Sequence, residues 1–209
     1  IYKTYQEMAE RESSRPDGID VVSIVTPNHL HVPIAKIFAE NGIHIICDKP
    51  IGMSSKEAID LKKVIESKKL IFALTHNYTG YPMVRHARSL VQKGDLGSLR
   101  VIQAEYPQDW LTTKAEDSGL KQAEWRTDPN RSGAGGCIGD IGTHAYNLIR
   151  FITGLEVDEI SADIHTFVEG RKVDDNAQIM LRFKGGAKGS IWSSQVAVGN
   201  ENNLKIRIY

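Results

Sequence analysis

Cysteine is scarce in this chain: 209 residues carry two, Cys47 and Cys137. They form neither a C-x-x-C pair nor a metal-spaced cluster, so reduced thiols in a cytoplasmic protein are expected and a metal site is not. Charge of one sign is not in excess either. The 26 Lys and Arg balance the 26 Asp and Glu and are spread along the chain. Nucleic acid is therefore not an expected partner. No apolar run approaches bilayer length, which excludes a membrane-spanning helix from the expectation. A signal-peptide pattern, an internal repeat and a low-complexity tract are all missing. So is a Gly-x-Gly-x-x-Gly phosphate loop after a first strand. The seven histidines are scattered. His29 and His31, two apart in a loop, are too little for a metal centre.

What is there suits a globular protein with one large or two modest cores. Thr4 to Glu12 reads as the end of a helix. Ile19 to Val25 is β-branched and nearly all apolar, the pattern of a strand covered on both faces. A helix follows from Pro33 to Asn41 and stops at Gly42. Ile43 to Cys47 is a second strand. Ser54 and Glu57 form a capping-box pattern opening a helix to about Ser67. Leu70 to Leu74 is a third strand. Strand, helix, strand, helix, strand with short loops predicts a parallel sheet with right-handed crossovers. Ligands of such sheets bind beyond the carboxyl ends of the strands. Those ends carry Thr26-Pro27-Asn28, Asp48-Lys49-Pro50 and Thr75-His76-Asn77, three polar tripeptides in register that predict the lip of a pocket.

From Tyr81 the pattern changes. Pro82 to Lys93 is an amphipathic helix closed by Gly94. Leu99 to Tyr106 alternates as a half-exposed strand of an antiparallel sheet does. Pro107 to Arg131 reads as one long polar loop holding Trp110, Trp125 and Arg126. Strands are expected near Glu159 to Val168, Ala177 to Phe183 and Ala187 to Gln195, with Lys184-Gly185-Gly186 as a hairpin turn. Leu204 to Tyr209 alternates again. The fold class is thus α/β followed by α+β. Residues 1–75 form the later part of a doubly wound parallel sheet, and residues 76–209 a mainly antiparallel open sheet with helices. The parallel part is expected to lack its first strands, where the dinucleotide loop would lie, and the last strand to be cut.

The stretch with most chemical content runs from Gly133 to Gly154. It begins glycine-rich and turns helical, with Ile141, Ala145, Leu148, Ile149 and Ile152 as one apolar stripe and Gly154 as a left-handed stop. Asp140, His144, Asn147 and Phe151 form a second row at steps of three and four. Asp140 and His144 read in two ways: a carboxylate and imidazole acting on one small molecule, or a helix N-cap and a core histidine.

Thr-Pro-Asn-His-Leu-His at 26–31, Asp-Lys-Pro at 48–50, His-Asn-Tyr at 76–78, Trp-Arg at 125–126 and Gly-Asp-Ile-Gly-Thr-His at 139–144 together resemble the Gfo/Idh/MocA family of NAD(P)-dependent oxidoreductases. The resemblance runs in order along essentially the whole chain. It implies a Rossmann domain followed by an open, mainly antiparallel sheet that builds homodimers or homotetramers. It implies NAD or NADP as cofactor, with Thr26, Pro27, Asn28, His31, Asp48, Lys49, Pro50, Asn77, Trp125 and Arg126 on the cofactor side. The family's Glu-Lys-Pro falls on Asp48-Lys49-Pro50, which places Lys49 by the nicotinamide and the reacting hydroxyl; the aspartate is a departure. So are Tyr78 and Thr79, where members often carry an arginine.

Oxidising a secondary alcohol moves a hydride off carbon while a proton leaves oxygen. His144 suits the proton step as general acid/base, Lys49 the developing alkoxide, and Asp140 the substrate hydroxyl or the imidazole. Asn77 and Tyr106, the latter on the strand that would floor the pocket, complete the expected substrate residues. The expected function is hydride transfer between a sugar, cyclitol or related polyol and NAD(P). An NAD-dependent glycosidase and a non-catalytic nucleotide sensor or scaffold are the alternatives.

Overall fold

The computed structural model describes residues Ile1–Tyr209. The chain forms two compact units. One comprises Ile1–Thr75 with Asn130–Gly133, the other His76–Pro129 with Ala134–Tyr209.

The first unit opens with helix α1 (Tyr5–Ser13). The sequence reads this as the tail of a helix, but Thr4 is its N-cap: the Thr4 hydroxyl accepts the Glu7 N–H at 3.1 Å. Strand β1 (Val21–Ile24), helix α2 (His31–Glu40), strand β2 (His44–Asp48), helix α3 (Ser55–Ser67) and strand β3 (Phe72–Thr75) follow. Ser54 caps α3 by accepting the Glu57 N–H at 3.2 Å; Glu57 in return accepts from Met53, one residue before the cap. The sheet is parallel in the order β1-β2-β3, with Val22 opposite Ile45 and Cys47 opposite Leu74. Sequential order with one crossover hand sends both connecting helices to the same face. Phe38, Ala35, Leu61, Ile65, Ile24, Ile45 and Cys47 form the core there. Within these residues the helices cover one face of the strands. β1 alternates exposed and buried, and Val21 and Ile46 lie on the open face.

The second unit starts with helix α4 (Pro82–Lys93), which has proline in its first turn and Gly94 at φ 78° as its left-handed cap. Strand β4 (Val101–Pro107) alternates as expected, with Ile102, Ala104 and Tyr106 buried. Its neighbour β7 is parallel to it, however, and only β8 is antiparallel. Alternation reports one covered face and is blind to strand direction. The segment read as one loop contains a 3₁₀ turn at Ala115–Ser118, helix α5 (Lys121–Arg126) and helix α6 (Pro129–Ser132). Helices this short span too few residues to show a period. Helix α7 (Thr143–Thr153) and strands β5 (Val157–His165), β6 (Asn176–Phe183), β7 (Lys188–Ser194) and β8 (Lys205–Ile208) complete the unit. The mixed sheet runs β5-β6-β7-β4-β8. Ala145 and Ile149 of α7 pack on Ile102, Leu181 and Ile191. A buried isoleucine of this kind contributes about 2–3 kcal/mol. No helix is long and apolar enough to cross a membrane.

Candidate active site

In the first unit the strand ends are tied together by His31. This imidazole is 1 % exposed, with Nδ1 2.6 Å from the Pro50 carbonyl and Nε2 2.8 Å from the Thr26 carbonyl. Both nitrogens are spent on backbone. The structure places His31 behind the strand-end lip, against these two carbonyls. Its work is to hold the turn after β1 against the turn after β2. Asn28 is likewise buried, and its amide donates to the Ser132 carbonyl at 2.8 Å, 104 residues away in sequence. Asp48 is exposed, and its carboxylate accepts from the Thr75 hydroxyl at 2.5 Å, coupling the ends of β2 and β3. Lys49 follows, half-buried, joined to Pro50 by a cis peptide bond. The Thr26 hydroxyl is different: it is buried and makes no hydrogen bond to protein. An orphaned hydroxyl at a strand end is costly unless something polar meets it. It therefore fits a polar group of a dinucleotide placed beyond the strand ends.

In the second unit the Gly133–Gly154 stretch folds from its glycines outward. A Cβ on Gly136 would lie 2.0 Å from the Asp174 carbonyl oxygen, so this position admits no side chain. The Asp174 carboxylate accepts the N–H groups of Gly136 at 2.6 Å and Ile138 at 2.9 Å. These are the orphan donors of a helix start, where an anion is favoured. No local sequence pattern points from Asp174 to a helix start so far upstream. The first turn, Ile138–Gly142, is π-helical, with the Thr143 N–H bonded to the Ile138 carbonyl. The Asp140 N–H is itself bonded to the Gly136 carbonyl at 2.9 Å. Asp140 thus lies inside the helix, and the N-cap reading fails. The apolar stripe holds: Ile141, Ala145, Leu148, Ile149 and Ile152 are all buried, and Gly154 caps at φ 70°.

The Asp140 carboxylate accepts from the Gln195 amide at 2.9 Å and pairs with Arg126 Nε at 3.3 Å. Arg126 in turn stacks on the Trp125 ring at 4.2 Å. Trp125, Arg126 and Asp140 are thus one assembly, with Gln195 as a member the sequence reading does not name. His144 is buried among rings: Tyr78 at 4.9 Å between centroids, His76 at 5.7 Å and Tyr106 at 6.2 Å, all edge-on. Tyr106 is only 2 % exposed, and its hydroxyl is engaged by Tyr78 at 2.6 Å and by Asn202. Strand alternation turns it inward, under the Tyr78 and His144 rings. Burial foremost, then the bond to Tyr78, raises its pKa well above the ordinary phenol value. Asn77 is exposed, at the start of a 3₁₀ turn.

Neither thiol is activated. Burial, with the charge of Asp48 added, pushes Cys47 up to about 12. Burial and then Asp174 raise Cys137 further.

A parallel α/β unit with polar strand ends, and a mixed open sheet presenting a carboxylate and an imidazole at a glycine-rich helix start, together define the oxidoreductase class built on an NAD-binding Rossmann fold. Residues 1–76 match the oxidoreductase family with NAD-binding Rossmann fold, and residues 84–209 match the GFO/IDH/MocA C-terminal domain. The chain belongs to the GFO/IDH/MocA oxidoreductase family, as the ordered motifs imply. It is similar to the levoglucosan dehydrogenase of Pseudarthrobacter phenanthrenivorans, at 32 % identity over 93 % of this chain and 54 % of that protein. An oxidoreductase structure from Sinorhizobium meliloti is 46 % identical, covering all of this chain and 55 % of its own, with a TM-score of 0.86. An inositol dehydrogenase homolog from Azotobacter vinelandii, complexed with NADH and myo-inositol, is 29 % identical over 99 % of this chain and 52 % of its own, with a TM-score of 0.91. The chain spans about half the length of the relatives it matches.

Proposed function

We propose that the polypeptide carrying this chain moves a hydride between a secondary alcohol of a sugar, cyclitol or related polyol and NAD or NADP. The observation that carries the reading is the placement of Asp140 and His144 four residues apart at one helix start. The carboxylate is anchored by Arg126 and Gln195, and the imidazole is enclosed by tyrosines. Family membership and relatives acting on levoglucosan or binding myo-inositol with NADH support it.

The nicotinamide, when bound, supplies the hydride acceptor. In the proposal Thr26, Asn28 and Pro50 belong to the strand-end lip on the cofactor side, with His31 holding it in shape. His144 takes the hydroxyl proton and returns it in the reverse direction. Lys49 provides a fixed positive charge for the alkoxide oxygen. Asp140, held by Arg126, orients the hydroxyl or the imidazole. The rings around His144 keep water from the proton being moved.

The edge strand β5 exposes Ile160 and Ile164 on one face of the sheet, and β6 exposes Met180 on the other. This supports a homodimer or homotetramer formed through the sheet.

The test is the natural full-length polypeptide against cyclitols, sugars and anhydrosugars with both cofactors, followed by absorbance of the reduced nicotinamide. Reduction with at least one polyol is expected. Release of an aryl group from glycosides without net reduction would instead mark a glycosidase. Cofactor binding with neither activity would mark a sensor.

A further inference from the structure

The polarity of one hydrogen-bond chain can be read from its far end. An indole N–H can only donate, and that of Trp110 lies 3.0 Å from Gln108 Oε1. This turns the Gln108 amide nitrogen toward Asn202 Oδ1, at 3.0 Å. The same Asn202 oxygen takes the Tyr106 hydroxyl proton. Tyr106 has one proton, so the 2.6 Å contact between the two phenols is donated by Tyr78. The high pKa of the buried Tyr106 keeps that phenol protonated and the order fixed. Tyr78 has thereby committed its only proton. Its half-buried side chain lies against His144 and presents an oxygen that can only accept.

We propose that Tyr78 is a specificity-determining residue that accepts a hydrogen bond from a second hydroxyl of a polyol whose reacting hydroxyl faces His144. Trp110, Gln108, Asn202 and Tyr106 act through Tyr78 by fixing its proton. The inference rests on the polyol reading of the site. It adds a selection rule: the site takes a hydroxyl that donates, and rejects a group that can only accept. A deoxy position leaves the phenol oxygen unpaired, and a fluorine sets acceptor against acceptor.

The experiment measures equilibrium binding by calorimetry, alongside turnover. It uses the natural full-length polypeptide loaded with cofactor, with myo-inositol, glucose, levoglucosan and their mono-deoxy and mono-deoxyfluoro forms as probes. Tyr78→Phe is expected to weaken binding of the parent polyol about threefold to tenfold. One deoxy form should bind both proteins equally, closing the cycle on a single hydroxyl. Tyr106→Phe releases the Tyr78 proton and should restore binding of the matching fluoro form, which a merely structural role would not do. The proposal is overturned if no probe binds, or if Tyr78→Phe binds every probe as the parent protein does. Binding that depends on Tyr78 without any turnover would uphold this inference and defeat the dehydrogenase reading. Turnover with polyol binding and KM indifferent to Tyr78 would do the reverse.

Discussion

The carboxylate of Asp174 accepts the backbone N–H of Ile138 at 2.9 Å, across 36 residues of sequence. With the Gly136 N–H at 2.6 Å, it fixes where the helix bearing Asp140 and His144 begins. Asp174→Asn keeps the shape and removes the charge. Charge-assisted bonds of this kind contribute about 1.5–3 kcal/mol, so unfolding in urea should show a loss of about 2 kcal/mol. Turnover should fall about tenfold with little change in KM, because the helix start is loosened and not removed.

His31 holds two turns through backbone carbonyls and touches no candidate reacting group. His31→Leu leaves the Thr26 and Pro50 carbonyls without their partner. The expected cost is about 2–3 kcal/mol, measured by chemical unfolding. A loss under about 0.5 kcal/mol would remove His31 from the list of structural anchors.

The Arg171 guanidinium is fully buried and donates to the Leu111 and Thr113 carbonyls, to Asp175 and, through two nitrogens, to Glu116. Burial alone would raise the Glu116 pKa. The Arg171 fork and charge outweigh it and hold the carboxyl below its ordinary 4.5. A depressed carboxylate adds stability that is fully present above its unfolded value and is lost as pH falls through the folded one. Glu116→Gln should therefore destabilise by about 2 kcal/mol at pH 7. The gap should close as pH falls below about 4.5. A gap independent of pH would contradict the ion-pair account.

Both cysteines hold their protons at neutral pH. Thiolate is the reactive form, so iodoacetamide at pH 8 should leave Cys47 and Cys137 unmodified in the folded protein and label both in denaturant. Mass spectrometry reads the outcome.

Much of this architecture is legible in the residues because it rests on short-range rules. Gly94 and Gly154 cap helices where the apolar rows end, and the Lys184-Gly185-Gly186 turn joins β6 to β7 as its positive-φ glycines allow. The failures have one physical origin, namely partners distant in sequence. Which face of the parallel sheet α2 and α3 share depends on strand order, which composition does not report. The roles of Asp174, Gln195 and Asn202 depend on contacts 36, 55 and 96 residues away. Tyr106 and His31 depend on such contacts too. Their burial and their hydrogen-bond partners make them supports for the residues around them.

The central claim is that His144 handles the proton of an alcohol being oxidised. The direct measurement is kcat against pH for the natural full-length polypeptide and its His144→Ala variant, on the best polyol found, with cofactor affinity determined separately. The account expects kcat to fall by about 10²–10⁴ while cofactor affinity stays within about threefold. It also expects the parent's acid limb to vanish in the variant. Turnover within about threefold of the parent, with the acid limb intact, would contradict it.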